Sequence, residues 1–108
     1  MSASATQAAA KQWPADLLAF ADEHEIRSYL DPLWEATWQL FPTARELSVF
    51  QEDDPELRAD RYIVFDVRVP QQDIPDFVEA KHNWNREFFR ICPAPRSHLI
   101  RLCLVRVP

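Results

Sequence analysis

Arg61-Tyr-Ile-Val-Phe-Asp-Val-Arg-Val69, stopped by Pro70, and Asp73-Ile-Pro-Asp-Phe-Val-Glu-Ala-Lys-His-Asn-Trp-Asn-Arg-Glu-Phe-Phe-Arg-Ile91 together decide the fold. In the first run the apolar residues Ile63, Phe65, Val67 and Val69 alternate with Tyr62, Val64, Asp66 and Arg68. A period of two is the mark of a strand with one face on a core. In the second run the period lengthens. At about 100° per residue, Ile74, Phe77, Ala80, Trp84, Phe88 and Ile91 share one helical face. Val78 and Phe89 fall at its edge, and Glu79, Asn83, Arg86, Glu87 and Arg90 take the wet side. Asp73 is expected to cap this helix, with Asp76 three residues on in a capping-box spacing. Cys92-Pro93 ends it.

Beyond the helix, His98 to Val107 reads as a third strand. Ile100, Leu102 and Leu104 point one way, and Leu99, Cys103, Val105 and Val107 the other, interrupted by Arg101. A strand apolar on both faces is expected in a sheet interior or at an interface. A strand–helix–strand unit favours a right-handed crossover with parallel strands. Upstream, Arg45 to Gln51 reads as a strand paired antiparallel with Tyr62–Val69 through the acidic connection Glu52–Asp60. Two helical patterns come before it. One starts at Trp13-Pro14 and ends near Glu23. The other starts at Asp31-Pro32, cap and first helical residue, and runs to Phe41. Its face would extend to Ile26, Tyr29 and Leu30 if the helix began earlier and kinked at Pro32. Trp34 and Trp38, one turn apart on that face, read as a core surface rather than a stacking platform.

The expected fold is therefore α+β: two N-terminal helices, then strand, strand, helix, strand, in a small mixed sheet with helices mainly on one face. Residues 13–108 form one domain behind a disordered tail, 1–12. Its 108 residues, 47% of them apolar, suffice for one core without staples. The tail lacks the features of a signal peptide, which points to the cytoplasm. No apolar run is long enough to span a bilayer. In a reducing compartment Cys92 and Cys103 are expected as buried free thiols.

The chain has no glycine. Phosphate-binding loops, dinucleotide fingerprints and nucleophile elbows need a backbone that turns at φ > 0 or closely approaches a ligand, so none can form in its usual way. Nine prolines supply the punctuation instead. The formal net charge of −5 disfavours DNA as a partner. That charge is segregated. Residues 1–80 hold six Lys/Arg against sixteen Asp/Glu, whereas residues 81–108 hold six Lys/Arg against Glu87 alone.

Candidate chemistry is sparse. The carboxylates of Glu52–Asp60 lack the alternating spacing and glycine turn of a calcium loop. His24, His82 and His98 are isolated, with no zinc spacing. The order helix–strand–strand–helix–strand resembles the minimal nucleotidyltransferase core in topology. That family carries a Gly-Ser turn after its first strand and paired metal-binding aspartates on its second. Here the first strand ends Val49-Phe50-Gln51-Glu52, and Asp66 stands alone where the pair belongs. Lys81 and Asn85 lie within the apolar face of the long helix. Lys81 could snorkel, pair with Asp66, or line a pocket for an anion. Arg86 and Arg90, one turn apart on the wet side, suit carboxylates of a partner.

No catalytic residue, metal or cofactor is expected. The function that follows is a non-enzymatic protein-interaction or regulatory domain, associating with a protein partner or with itself. The alternative is a degenerate nucleotidyltransferase-like or anion-binding domain centred on Asp66 and Lys81.

Overall fold

The computed structural model describes residues 13–53, 56 and 61–108; the expected tail and most of the acidic connection lie outside them. In chain order the elements are α1 (Ala15–Glu23), α2 (Arg27–Leu40), β1 (Glu46–Asp53), β2 (Arg61–Pro70), α3 (Phe77–Ile91) and β3 (Ile100–Val107). Short 3-10 turns, Gln71–Asp73 and Ala94–Leu99, flank α3. The sheet order is β1-β2-β3, with β1 antiparallel and β3 parallel to β2. This is the α+β fold that the alternating strand and the amphipathic helix lead one to expect.

One placement differs. The strand apolar on both faces, β3, lies at an edge, and β2 is the interior strand. Pairing on both sides buries β2 deeply. Ile63, Phe65, Val67 and Val69 are all at most 1% exposed beneath the helices, and Tyr62 and Val64 are buried on the opposite face. Leu102, on the side of β3 shared with the core residues Ile100 and Leu104, is only half-buried because β3 has a neighbour on one side only.

Rings join the helices to the sheet. Phe65 meets Trp84 of α3 at 6.3 Å and Trp13 at 6.5 Å between centroids. Trp13 packs edge-on against Trp34 at 5.8 Å, and Trp34 against Trp38 at 6.1 Å. Trp34 and Trp38 thus belong to the core face of α2, as their spacing suggests.

Helix α2 starts earlier than the Asp31-Pro32 signal implies. It begins at Arg27 and carries Pro32 inside it. Pro32 has no N–H for the Ser28 carbonyl, a loss on the order of 3 kcal/mol in a helix interior. Extending the helix buries Ile26 and Leu30 completely. At about 1.5–3 kcal/mol for each side chain, that burial offsets the lost bond. Asp31, freed from capping, accepts a hydrogen bond from the Trp13 indole at 2.9 Å.

The α1–α2 turn meets the lack of glycine directly. Ile26 N–H bonds to Ala21 O at 2.8 Å and Glu25 N–H to Asp22 O at 3.2 Å, the paired bonds of a Schellman motif. Its left-handed position is held by Glu25, at φ 59°. Ala21 and Ile26 supply the buried apolar contact.

Helix α3 also starts later than expected. Asp76, not Asp73, is the cap, accepting from the Glu79 N–H at 3.0 Å. The reason is Pro75, which disfavours helical geometry at Ile74, here at φ −128° and ψ 74°. Asp73 instead accepts from the Thr43 hydroxyl at 2.8 Å. Trp84 and Phe88 are buried, while Phe77 is only half-buried at the margin. Val78 and Phe89, at the edge of the stripe, are 62% and 56% exposed.

Helices α2 and α3 are tied by one buried polar relay. The Trp84 indole N–H donates to Thr37 Oγ1 at 2.9 Å, and the Thr37 hydroxyl donates to Leu33 O at 2.7 Å. Thr37→Val keeps the shape but strands the indole N–H, and should destabilise the protein by about 1–3 kcal/mol in urea titrations. In a Trp84→Phe background, where the donor is gone, the same change should be nearly neutral. At the α1–α2 turn, Glu25→Gly should be more stable than Glu25→Ala by about 1 kcal/mol in thermal melts, because alanine keeps the left-handed strain. Equal stabilities would show that the turn is not held at positive φ.

Candidate functional site

The structure separates the two residues on which the sequence centred an anion site. Asp66 projects from the face of β2 opposite Phe65, in register with Ser48 and Cys103. Its Oδ1 is buried without a hydrogen bond, and Arg68 Nε lies 3.5 Å from it. Helix α3 packs on the other face, through Trp84 against Phe65. Lys81 is exposed on that helix, its Nζ 5.7 Å from the centre of the Phe77 ring. Arg106 of β3 reaches the same ring at 5.2 Å. The Lys81 ammonium therefore lies over an aromatic ring on the exposed side of α3, and no single site contains both Lys81 and Asp66. Asn85 is half-buried.

Arg86 and Arg90 are exposed but engaged along their own helix. Arg86 donates to Asn83 Oδ1 at 3.3 Å. Arg90 grips Glu87 Oε1 through Nε at 3.1 Å and Nη2 at 2.7 Å. Partners three residues apart face each other on a helix, and Glu87 partly cancels the charge that the sequence assigned to an outside partner.

Two other surfaces emerge. The first is the sheet face turned away from the helices. Along β1 it carries Glu46, Ser48, Phe50 and Glu52; along β2, Tyr62, Val64, Asp66 and Arg68; along β3, Arg101, Cys103, Val105 and Val107. Phe50 remains 37% exposed there. Among the described residues no helix covers this face, because α3 packs against the opposite one.

The second is a half-open cleft of about 720 Å³ at the end of the sheet where β2 and β3 begin. One wall is a stripe of α1, Asp16, Ala19, Phe20 and Glu23, spaced i, i+3, i+4, i+7. The facing wall is Arg61 and Tyr62 at the start of β2, His98 of the 3-10 turn Ala94–Leu99, and Arg101 at the start of β3. The Arg101 guanidinium lies over the Tyr62 ring at 3.8 Å, and Asp53 holds Arg61 Nε at 3.0 Å. His24, at the end of α1, stacks at 4.5 Å on Phe20. The helical stripe could have been read from spacing. The opposite wall could not, since Arg61 and Arg101 are distant in sequence and meet only through strand pairing. Among the described residues no three His, Cys, Asp or Glu side chains gather as metal ligands.

Of the two thiols, both free, Cys92 is buried as expected and Cys103 is not. Cys92 is fully buried, and burial raises its pKa above the ordinary thiol value against the smaller lowering effect of Arg96. Cys103 is exposed, because it sits on the uncovered face of an edge strand. The thiolate is the nucleophile, so at any given pH burial leaves Cys92 with less of it. A maleimide should label Cys103 in the native protein within minutes, and Cys92 only after unfolding, as read by intact mass and peptide mapping. Rapid native labelling of Cys92 would contradict its burial.

Among the described residues no helix is long and apolar enough to cross a membrane. No protein-family model matches this chain, and neither does any curated protein or solved structure.

Proposed function

We propose that this domain works by association rather than catalysis, as a small non-enzymatic interaction or regulatory module of the cytoplasm. Its contact surface on this reading is the uncovered sheet face, and the occupant is a second copy of the chain. The observation that carries the reading is a sheet face with no covering element among the described residues, on which Phe50 stays 37% exposed beside Val64. Apolar surface left uncovered in this way favours contact with a second sheet. The two free thiols agree with a reducing compartment.

Self-association is favoured by how charge is distributed across the face. Glu46 and Glu52 stand on β1, while Arg101 stands on β3. A two-fold axis parallel to β2 lays β1 of one copy over β3 of the other. By the strand register Phe50 of each copy then lies over Arg101 of the other, with Glu52 one residue pair further along toward the same guanidinium, and the contact closes as an isologous pair. Three strands of about eight residues span roughly 14 by 26 Å, near 400 Å² per copy, which lies below the size of a stable interface. The association is therefore weak and reversible.

Sedimentation equilibrium from micromolar to millimolar protein should follow a monomer–dimer curve. Phe50→Glu combined with Val105→Glu should give a monomer with an unchanged circular dichroism spectrum. A parent that stays monomeric at millimolar concentration, or a double variant that associates like the parent, would overturn the proposal.

A further inference from the structure

We propose that the cleft between α1 and the starts of β2 and β3 is a binding site for a small phosphorylated amine, a molecule with ammonium and phosphate at opposite ends. The reasoning begins with the arrangement of charge. Asp16 and Glu23 occupy the helical wall, seven residues and two turns apart, whereas Arg61, Arg101 and His98 occupy the strand wall. The cleft is therefore bipolar, not uniformly basic or acidic. A simple anion would meet the carboxylates, and a simple cation would meet the guanidiniums. A ligand carrying both charges matches both walls.

The strand wall is positioned before any ligand arrives. The Arg101 guanidinium carbon lies 3.8 Å from the centre of the Tyr62 ring, which restrains its N–H groups. Arg61 is steadied at Nε by Asp53. Arg61 enters the cleft from the helix side of the sheet end and Arg101 from the uncovered side, with the His98 imidazole on the same lining, so a phosphate at the strand ends meets donors from both sides. The carboxylates accept from an ammonium. Ala19 and Phe20 add apolar lining beside the carbon skeleton between the charged ends. A volume of about 720 Å³ admits a molecule of sugar-phosphate size or larger. The site shares Tyr62 and Arg101 with the open sheet face, so binding is measured at protein concentrations where sedimentation shows a monomer, and a failure of either proposal is then distinguishable from a failure of the other.

Titration calorimetry with three matched probes tests it: glucosamine 6-phosphate, glucose 6-phosphate without the ammonium, and glucosamine without the phosphate. The first should bind, and each half-matched probe should bind at least about tenfold more weakly, as expected when one charged contact is lost. Glu23→Gln should erase the difference between glucosamine 6-phosphate and glucose 6-phosphate. Arg101→Gln should erase the difference between glucosamine 6-phosphate and glucosamine. Both residues lie on the surface, and unchanged thermal melting would confirm that the variants are folded. Equal binding of glucose 6-phosphate and glucosamine 6-phosphate to the parent would overturn the bipolar assignment. Failure of all three probes to bind at 10 mM, or variants that bind like the parent, would overturn the site itself.

Discussion

Phe65 stands at the middle of the central strand with a tryptophan on either side, Trp13 and Trp84, and is wholly buried between them. The rest of the structure depends on this one-sided burial. A three-stranded sheet offers a single narrow face to cover, and α3 closes it from one direction while Trp13 and α2 close it from the other. Each fully buried aromatic or aliphatic side chain contributes about 1.5–3 kcal/mol. Ile63, Phe65, Val67 and Val69 thus make β2 the strand on which all three helices rely. The Thr37–Trp84 hydrogen bond adds direction to that burial, because it admits one relative placement of α2 and α3.

A chain without glycine has to make its tight corners by other means. At the α1–α2 corner the left-handed residue is Glu25, held there by two backbone bonds, the buried contact of Ile26 with Ala21, and an ion pair from its carboxylate to Arg96 at 2.8 Å. That ion pair is exposed and contributes little to stability. It does link the α1–α2 turn to the segment before β3, next to the cleft. Prolines do the remaining work. Pro75 delays the start of α3, and Pro93 follows its last turn.

Covering one sheet face leaves the other outside. The uncovered face and the cleft at the strand starts are both consequences of three helices packed on one side. In a larger sheet or a sandwich these positions would be core. Here Tyr62 and Val64 are shielded by neighbouring strands and by Arg101 rather than by another layer. Surfaces of this kind, assembled from several elements, suit recognition. The residues singled out along α3 serve the helix itself, since Arg90 is satisfied by Glu87 and Lys81 lies beside Phe77.

The sequence by itself determined the elements and their inward faces. The two-residue period of Tyr62–Val69 and the helical stripe through Phe77, Trp84 and Phe88 state which side of each element leaves water, and those sides are buried. Antiparallel pairing of β1 with β2 and parallel pairing of β2 with β3 follow from a hairpin and a helical crossover. Only the tertiary structure decided which strand is interior, where α2 begins, that Cys103 is exposed, and that Asp66 and Lys81 stand on opposite faces. The physical reason is shared by all four. Periodicity reports the direction of a side chain relative to its own backbone, whereas edge position, the worth of burying Ile26 and Leu30, and the meeting of Arg61 with Arg101 depend on neighbours distant in the chain. A proline signal or a cap is a local preference of a few kcal/mol, and burial gathered from distant segments outweighs it.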